Sequence, residues 1–149
     1  MHCKNILLIF FILFLSSFLL SSEFNTINTN KAYLRAGPGQ WYPIKWVLKI
    51  PGLPIKVLDE NGGYKMIEIY DGTKGWVASR LTSNKQKLLV IEDTFILNKN
   101  DYPIVKVKKY VVLNNLGCST KAEKNYCEVK IKKFKGRIDK EKVWGQKIN

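Results

Sequence analysis

Catalysis in this chain of 149 residues would need a nucleophile beside a base, a facing pair of carboxylates, or a metal cage. The sole histidine is His2, inside an apolar leader. Acidic residues adjoin as Asp59-Glu60 and Glu92-Asp93. The first pair falls in a turn, and neighbours along a strand point to opposite faces, so neither is a catalytic couple. Gly37-Pro38-Gly39 follows a strand but opens no helix, which makes it a poor phosphate cradle. Cys118 and Cys127 lack the close spacing of a zinc or redox pair, whereas one disulfide suits an exported chain with two remaining cysteines. The expectation is a non-enzyme with no metal and no cofactor.

Binding residues are more numerous. Tyr33 to Val47 reads Tyr-Leu-Arg-Ala-Gly-Pro-Gly-Gln-Trp-Tyr-Pro-Ile-Lys-Trp-Val. Glycine accepts backbone angles that other residues resist, and proline fixes one angle. The turn would hold Trp41 and Tyr42 out on a loop. Arg35, Trp41, Tyr42, Trp46, Tyr64 and Trp76 are the candidate wall of a ligand groove. Aromatics offer large, stiff contact area with a polar handle, which suits an extended peptide or sugar-peptide chain. The competing expectation is that Trp76, and at least one of Trp46 and Tyr64, fill the inside of a small barrel. Arg35 is expected to brace the turn rather than to meet a ligand carboxylate.

The second half carries Lys130, Lys132, Lys133, Lys135 and Arg137, followed by Lys140 and Lys142. The formal net charge is +13, and lysine dominates arginine. Such a patch is a solvated basic face or a surface for an anionic envelope polymer or a membrane. Nucleic acid fits less well, because Phe134 alone interleaves with these lysines and base stacking needs more.

The elements that position these residues are short. Residues 1–22 have a basic start, an apolar middle and small residues before Glu23. That is the layout of a secretory signal peptide, with an uncleaved anchor as the rival reading. Glu23 to Asn30 reads as a polar, mobile lead-in. After it come strands of four to eight residues, separated by Pro51-Gly52, Asn61-Gly62-Gly63 and a two-residue Asp71-Gly72 hairpin turn. Strands and turns at this spacing predict small all-β barrels. The pattern repeats. Tyr42-Pro43-Ile44-Lys45-Trp46-Val47 returns as Tyr102-Pro103-Ile104-Val105-Lys106-Val107, and Lys74-Gly75-Trp76-Val77 as Lys135-Gly136-Arg137-Ile138. Two matches in the same order at nearly constant offset point to a duplication. The expected units are residues 23–86 and 87–149. In the second, Cys118 and Cys127 would staple two neighbouring antiparallel strands.

Leu34-Arg35-Ala36-Gly37-Pro38-Gly39, followed by Gly75-Trp76-Val77, resembles the bacterial SH3-like domains of exported proteins. The longer string from Tyr42 to Val47 is similar to the subgroup with two such domains in tandem behind a signal peptide, which also carries a cysteine pair and a late Trp-Gly. Cys118, Cys127 and Trp144-Gly145 stand there. The second unit departs from the pattern at Leu97-Asn98-Lys99-Asn100, in place of the Arg-x-Gly-Pro turn, and at Arg137, in place of tryptophan. The resemblance implies two small SH3-like barrels and a non-catalytic binding module in the periplasm or outside the cell. Its implied partner is a cell-wall peptide or peptidoglycan, or an envelope protein. The alternative is electrostatic docking of the basic second barrel to an anionic envelope polymer or membrane surface.

Overall fold

The computed structural model describes residues 23–119, 121 and 125–146. The expected signal peptide, residues 1–22, lies outside the described residues. The fold is all-β, built as two seven-stranded sheets. The first comprises β1 (Phe24–Ile27), β2 (Ala32–Arg35), β3 (Ile44–Leu48), β4 (Pro54–Asn61), β5 (Tyr64–Glu68), β6 (Lys74–Ala78) and β7 (Thr82–Ser83). The second comprises β8 (Lys87–Val90), β9 (Thr94–Leu97), β10 (Pro103–Val107), β11 (Val112–Cys118), β12 (Tyr126–Ile131), β13 (Phe134–Asp139) and β14 (Val143–Trp144). Both sheets have the same spatial order: β3-β2-β6-β5-β4-β1-β7 and β10-β9-β13-β12-β11-β8-β14. A short 3-10 turn precedes the last strand of each, at Ser79–Leu81 and Lys140–Lys142.

Each core is aliphatic. Ile27, Leu34, Leu53, Ile55, Ile67 and Val77 fill the first; Leu88, Val90, Ile96, Leu113, Val129 and Ile138 fill the second. Alternation along each strand sends these side chains inward and their neighbours outward. On β6, Gly75 and Val77 are buried while Trp76 between them is half-exposed. A residue larger than glycine at 75 would not fit, since a Cβ there would lie 2.7 Å from the Leu34 side chain. Gly136 does the same work on β13, where a Cβ would meet Leu97 and Ile96. The expectation that Trp76 and one of Trp46 or Tyr64 fill the interior is therefore corrected. Trp46 is exposed, and Tyr64 and Trp76 are half-buried.

The expected mobile lead-in is also corrected. Phe24–Ile27 is a strand buried along its whole length, paired with β4 on one side and β7 on the other. Its polarity misled because the polar groups are satisfied. Lys65 donates to the Asn25 carboxamide oxygen at 2.6 Å, the Asn25 amide donates to Asn84 at 3.3 Å, and the Thr26 and Ser83 hydroxyls lie 2.9 Å apart. A buried polar group with partners costs little; one without costs much. The Asp71-Gly72 turn is longer than expected. Glu68 faces Lys74, so the connection runs from Ile69 to Thr73, closed by Gly72 at φ 83°.

The two sheets meet through β8. Leu88, Leu89 and Val90 are all fully buried, yet only Leu88 and Val90 belong to the second core. Leu89 belongs to the first, together with half-buried Val112 and Trp144. Trp144 also packs edge-on against Phe24, ring centres 5.4 Å apart. Gly145 permits this contact, since a Cβ there would lie 2.7 Å from Pro54 and from the Lys87 carbonyl, at φ 107°. On the same seam Tyr70 meets Tyr110 at 5.6 Å, and burial lifts the Tyr70 phenol above its ordinary value, aided by hydrogen bonding to Tyr110.

Cys118 faces Cys127 across β11 and β12, and the two form a disulfide with Cα atoms 3.9 Å apart. Gly117 and the register shift beside Asn115 let the end of β11 turn into that position.

Two outcomes follow. Leu89→Ala should destabilise by about 2–5 kcal/mol, as for other buried leucines, and shift fluorescence and far-ultraviolet circular dichroism together in urea, because the lost side chain ties a strand of the second sheet into the first core. Reducing the disulfide, which spans nine residues, should lower stability by about 2–3 kcal/mol in the chain-entropy model, read as a fall in the urea midpoint.

Candidate functional site

Sheet register decides which candidate residues share a face. On the outer side of the first sheet, Met66 faces Trp76, Trp76 faces Arg35, and Arg35 faces Ile44. That row crosses β5, β6, β2 and β3. Tyr33 and Val47 are paired one step along and are both exposed. Tyr64 lies two residues from Met66 and so on the same outer face. Trp46 differs. It pairs with Leu34, whose side chain is in the core, so it leaves β3 from the other face. It is 58% exposed because β3 is the edge of the sheet among the described residues.

The loop between β2 and β3 is held by Arg35. Its guanidinium donates to the carbonyl of Gln40 at 2.9 Å and to that of Tyr42 at 2.8 Å. Both bonds leave one guanidinium nitrogen and tie two carbonyls of the loop to β2. Gly37 and Gly39 serve by absence of bulk rather than by unusual backbone angles. A Cβ on Gly37 would sit 2.5 Å from the Tyr42 ring, and one on Gly39 would sit 2.6 Å from the Trp41 ring. Each ring lies across a bare backbone. The rings are 6.1 Å apart and tilted by 34°. Trp41 is 78% exposed, while Tyr42 is partly covered.

Electrostatics favour a negative or polar ligand. Lys31 sits 4.9 Å from the centre of the Tyr33 ring and Arg35 5.8 Å from it. Hydrogen bonding and charge from Lys31 hold the Tyr33 phenol below its ordinary value.

Arg35, Tyr64 and Trp76 are thus brought to one outer surface and Trp46 is turned away, while Trp41 and Tyr42 stand on the loop that Arg35 braces. Tyr33, Ile44, Val47 and Met66 join that surface and were missed in the sequence. Strict alternation from Ala32 to Arg35 was the signal that could have found Tyr33. A separate polar cleft of about 300 Å³, lined among others by Thr26, Asn28, Pro51 and Lys87, contains none of the six aromatic-wall candidates.

Residues 28–84 match the family model of the bacterial SH3 domain. This segment is a bacterial SH3 domain. No curated protein matches the chain. Among solved structures the chain is similar to NlpC1 from Trichomonas vaginalis, with 10% identity, a TM-score of 0.40, and coverage of 86% of this chain and 47% of that one. NlpC2 from the same organism gives 10% identity, a TM-score of 0.39, and coverage of 82% and 47%. The chain spans about half the length of each.

The second sheet keeps the architecture of the SH3 unit and changes the means. Arg137, on β13, stands at the position of Trp76, and Leu97, on β9, at that of Arg35. Arg137 reaches across to donate to the carbonyls of Asn98 and Lys99 and to the Asp101 carboxylate at 2.9 Å. It also lies 4.8 Å from the Tyr126 ring centre. The loop after β9 is therefore braced by arginine too, from the opposite strand. Asn98 completes it, accepting from the backbone N–H of Asn100 and Tyr102. Arg137, a candidate for the anionic surface, is committed to this loop. Lys130, Lys132, Lys133 and Lys135 are exposed.

Replacing Arg35 with Met keeps the bulk and removes both loop bonds, each worth about 1.5–3 kcal/mol for a charged donor. The Gln40–Tyr42 loop should loosen, read as faster amide exchange at Gln40 to Tyr42 with β4 and β5 unchanged.

Proposed function

We propose that this protein is a non-catalytic binding module of the cell envelope, and that its SH3 domain takes an extended cell-wall peptide across the outer face of β2, β3 and β6. The family is one of binding domains, often cell-wall related. That family and the disulfide both fit an extracytoplasmic protein. The observation that carries the reading is the braced aromatic surface at an edge strand. Tyr33, Tyr42, Ile44 and Val47 stay exposed although apolar, and Arg35 holds the loop that carries Tyr42. Contiguous exposed apolar surface of this kind marks interaction sites.

An extended peptide suits the geometry in two ways. Among the described residues the outer edge of β3 has no strand beside it, so its backbone groups are open to pairing. The rings next to it give flat contact area, and Lys31 and Arg35 supply positive charge for peptide carboxylates. The proposed division of labour places the boundary between the two units at residues 86 and 87, with the SH3 domain binding the wall and the second unit held beside it.

Purified cell-wall sacculi test this. Wild type should co-sediment with sacculi. Tyr33→Ala combined with Tyr42→Ala should lower retention by at least about fivefold, since a few anchors carry most binding energy at such surfaces. Trp46→Ala, on the other face, should have little effect. Equal retention of wild type and the double variant would overturn the site.

A further inference from the structure

The hairpin formed by β12 and β13 differs in charge from its counterpart in the first sheet, and the difference lies on a single face. In the first sheet Lys56 faces Glu68 and Glu68 faces Lys74 across adjacent strands. Charges alternate along that row, and Lys74 pairs with Glu68 at 3.6 Å. The corresponding row in the second sheet is Lys87, Asn114, Lys130 and Lys135, register partners across β8, β11, β12 and β13. The glutamate has become Lys130. Lys130 and Lys135 are directly opposed and exposed, an arrangement that destabilises a sheet. Among the described residues neither has a carboxylate within ion-pair distance.

The turn has changed in the same direction. Between β5 and β6 it contains Asp71 and a glycine at φ 83°. Between β12 and β13 it is Lys132-Lys133, with Lys132 at φ 50°. A lysine in the left-handed region is strained where glycine would not be. The hairpin thus carries two unfavourable features, opposed like charges and a strained lysine, both of which gather positive charge. The two-residue turn requires the positive φ, but nothing in folding requires a lysine there or a lysine opposite Lys130.

We propose that this hairpin is a binding site for a linear polyanion with a charge on each repeat. Strands are spaced by about 4.8 Å, so the row offers Lys130 and Lys135 side by side, extended by Lys132 and Lys133 at the tip, with half-buried Lys87 behind them donating to Asn114 at 2.8 Å. Lysines act as point charges, which suits a flexible chain better than a fixed bidentate anion. A membrane surface fits less well. Ile131 and Phe134 are half-buried, and no exposed large apolar residue lies on the hairpin to enter a lipid interface. The proposal is independent of the aromatic site, whose residues lie in the other sheet.

Inorganic polyphosphate is the probe. The oxidised full chain should bind it at low salt, with affinity falling steeply as salt rises, because binding releases counterions. Lys130→Glu should lower affinity by about tenfold. The same variant restores the alternating row and should leave the thermal midpoint unchanged or raised. Lys133→Gln should weaken binding to a lesser degree. Lys49→Glu, an exposed lysine in the first unit with the same change in net charge, should alter affinity by less than about twofold. Trp41→Ala/Tyr42→Ala should bind polyphosphate as wild type does, even if sacculus binding fails. The proposal is overturned by no binding at low salt, by equal losses for Lys130→Glu and Lys49→Glu, or by capture on phosphatidylglycerol vesicles without binding to the polymer.

Discussion

A strand that is apolar on both faces must be covered on both. Leu88, Leu89 and Val90 form such a strand, and one protein sheet can cover only one side of it. The first core therefore closes over Leu89 while the second closes over Leu88 and Val90. Units of about 60 residues bury a modest share of their surface and are marginal alone. The shared strand offsets this by giving each unit part of the other's interior. Trp144 against Phe24, and Gly145 against Pro54, extend the same seam. The surfaces of the two units are consequently held in one arrangement.

Aliphatic side chains fill both interiors and Phe24 and Trp144 pack in the seam, so the aromatic residues of β2, β3 and the loop between them are left for the outside. An exposed aromatic loop would be of little use if it moved freely, and an arginine restrains it in each sheet. Arg35 reaches its loop from β2, whereas Arg137 reaches the equivalent loop from β13. The strand order is the same and the guanidinium arrives from opposite sides of the same pair of strands. What the two units share is the brace, not the residue position. The missing glycine turn in the second unit is replaced by Asn98, whose side chain accepts the loop amides directly.

Much of this was legible in the sequence. Turn residues and period-two alternation gave most of the strands, the repeat of Tyr-Pro-Ile and Lys-Gly gave the second sheet, and two remaining cysteines placed on neighbouring strands of an exported chain gave the cross-strand disulfide. The failures have physical reasons. Phe24–Ile27 looked like a tail because Asn25 and Thr26 are polar, and their partners Lys65, Asn84 and Ser83 are distant in sequence. Trp76 looked like core because it is large, but Gly75 and Val77 occupy the inward positions on its strand. Gly37 and Gly39 looked conformational, whereas ring contact requires them. Trp46 could not be separated from the wall without its pairing to the core residue Leu34.

The central claim is that the ligand face is the outer surface of β2, β3 and β6, held by Arg35. Chemical-shift mapping of the oxidised chain, titrated with soluble wall-peptide fragments, tests it most directly. The account predicts shifts concentrated at Tyr33, Arg35, Tyr42, Ile44 and Trp76, with the core residues Ile55 and Ile67 silent. Shifts confined to the polar cleft around Asn28 and Pro51, or none at saturating fragment, would contradict it.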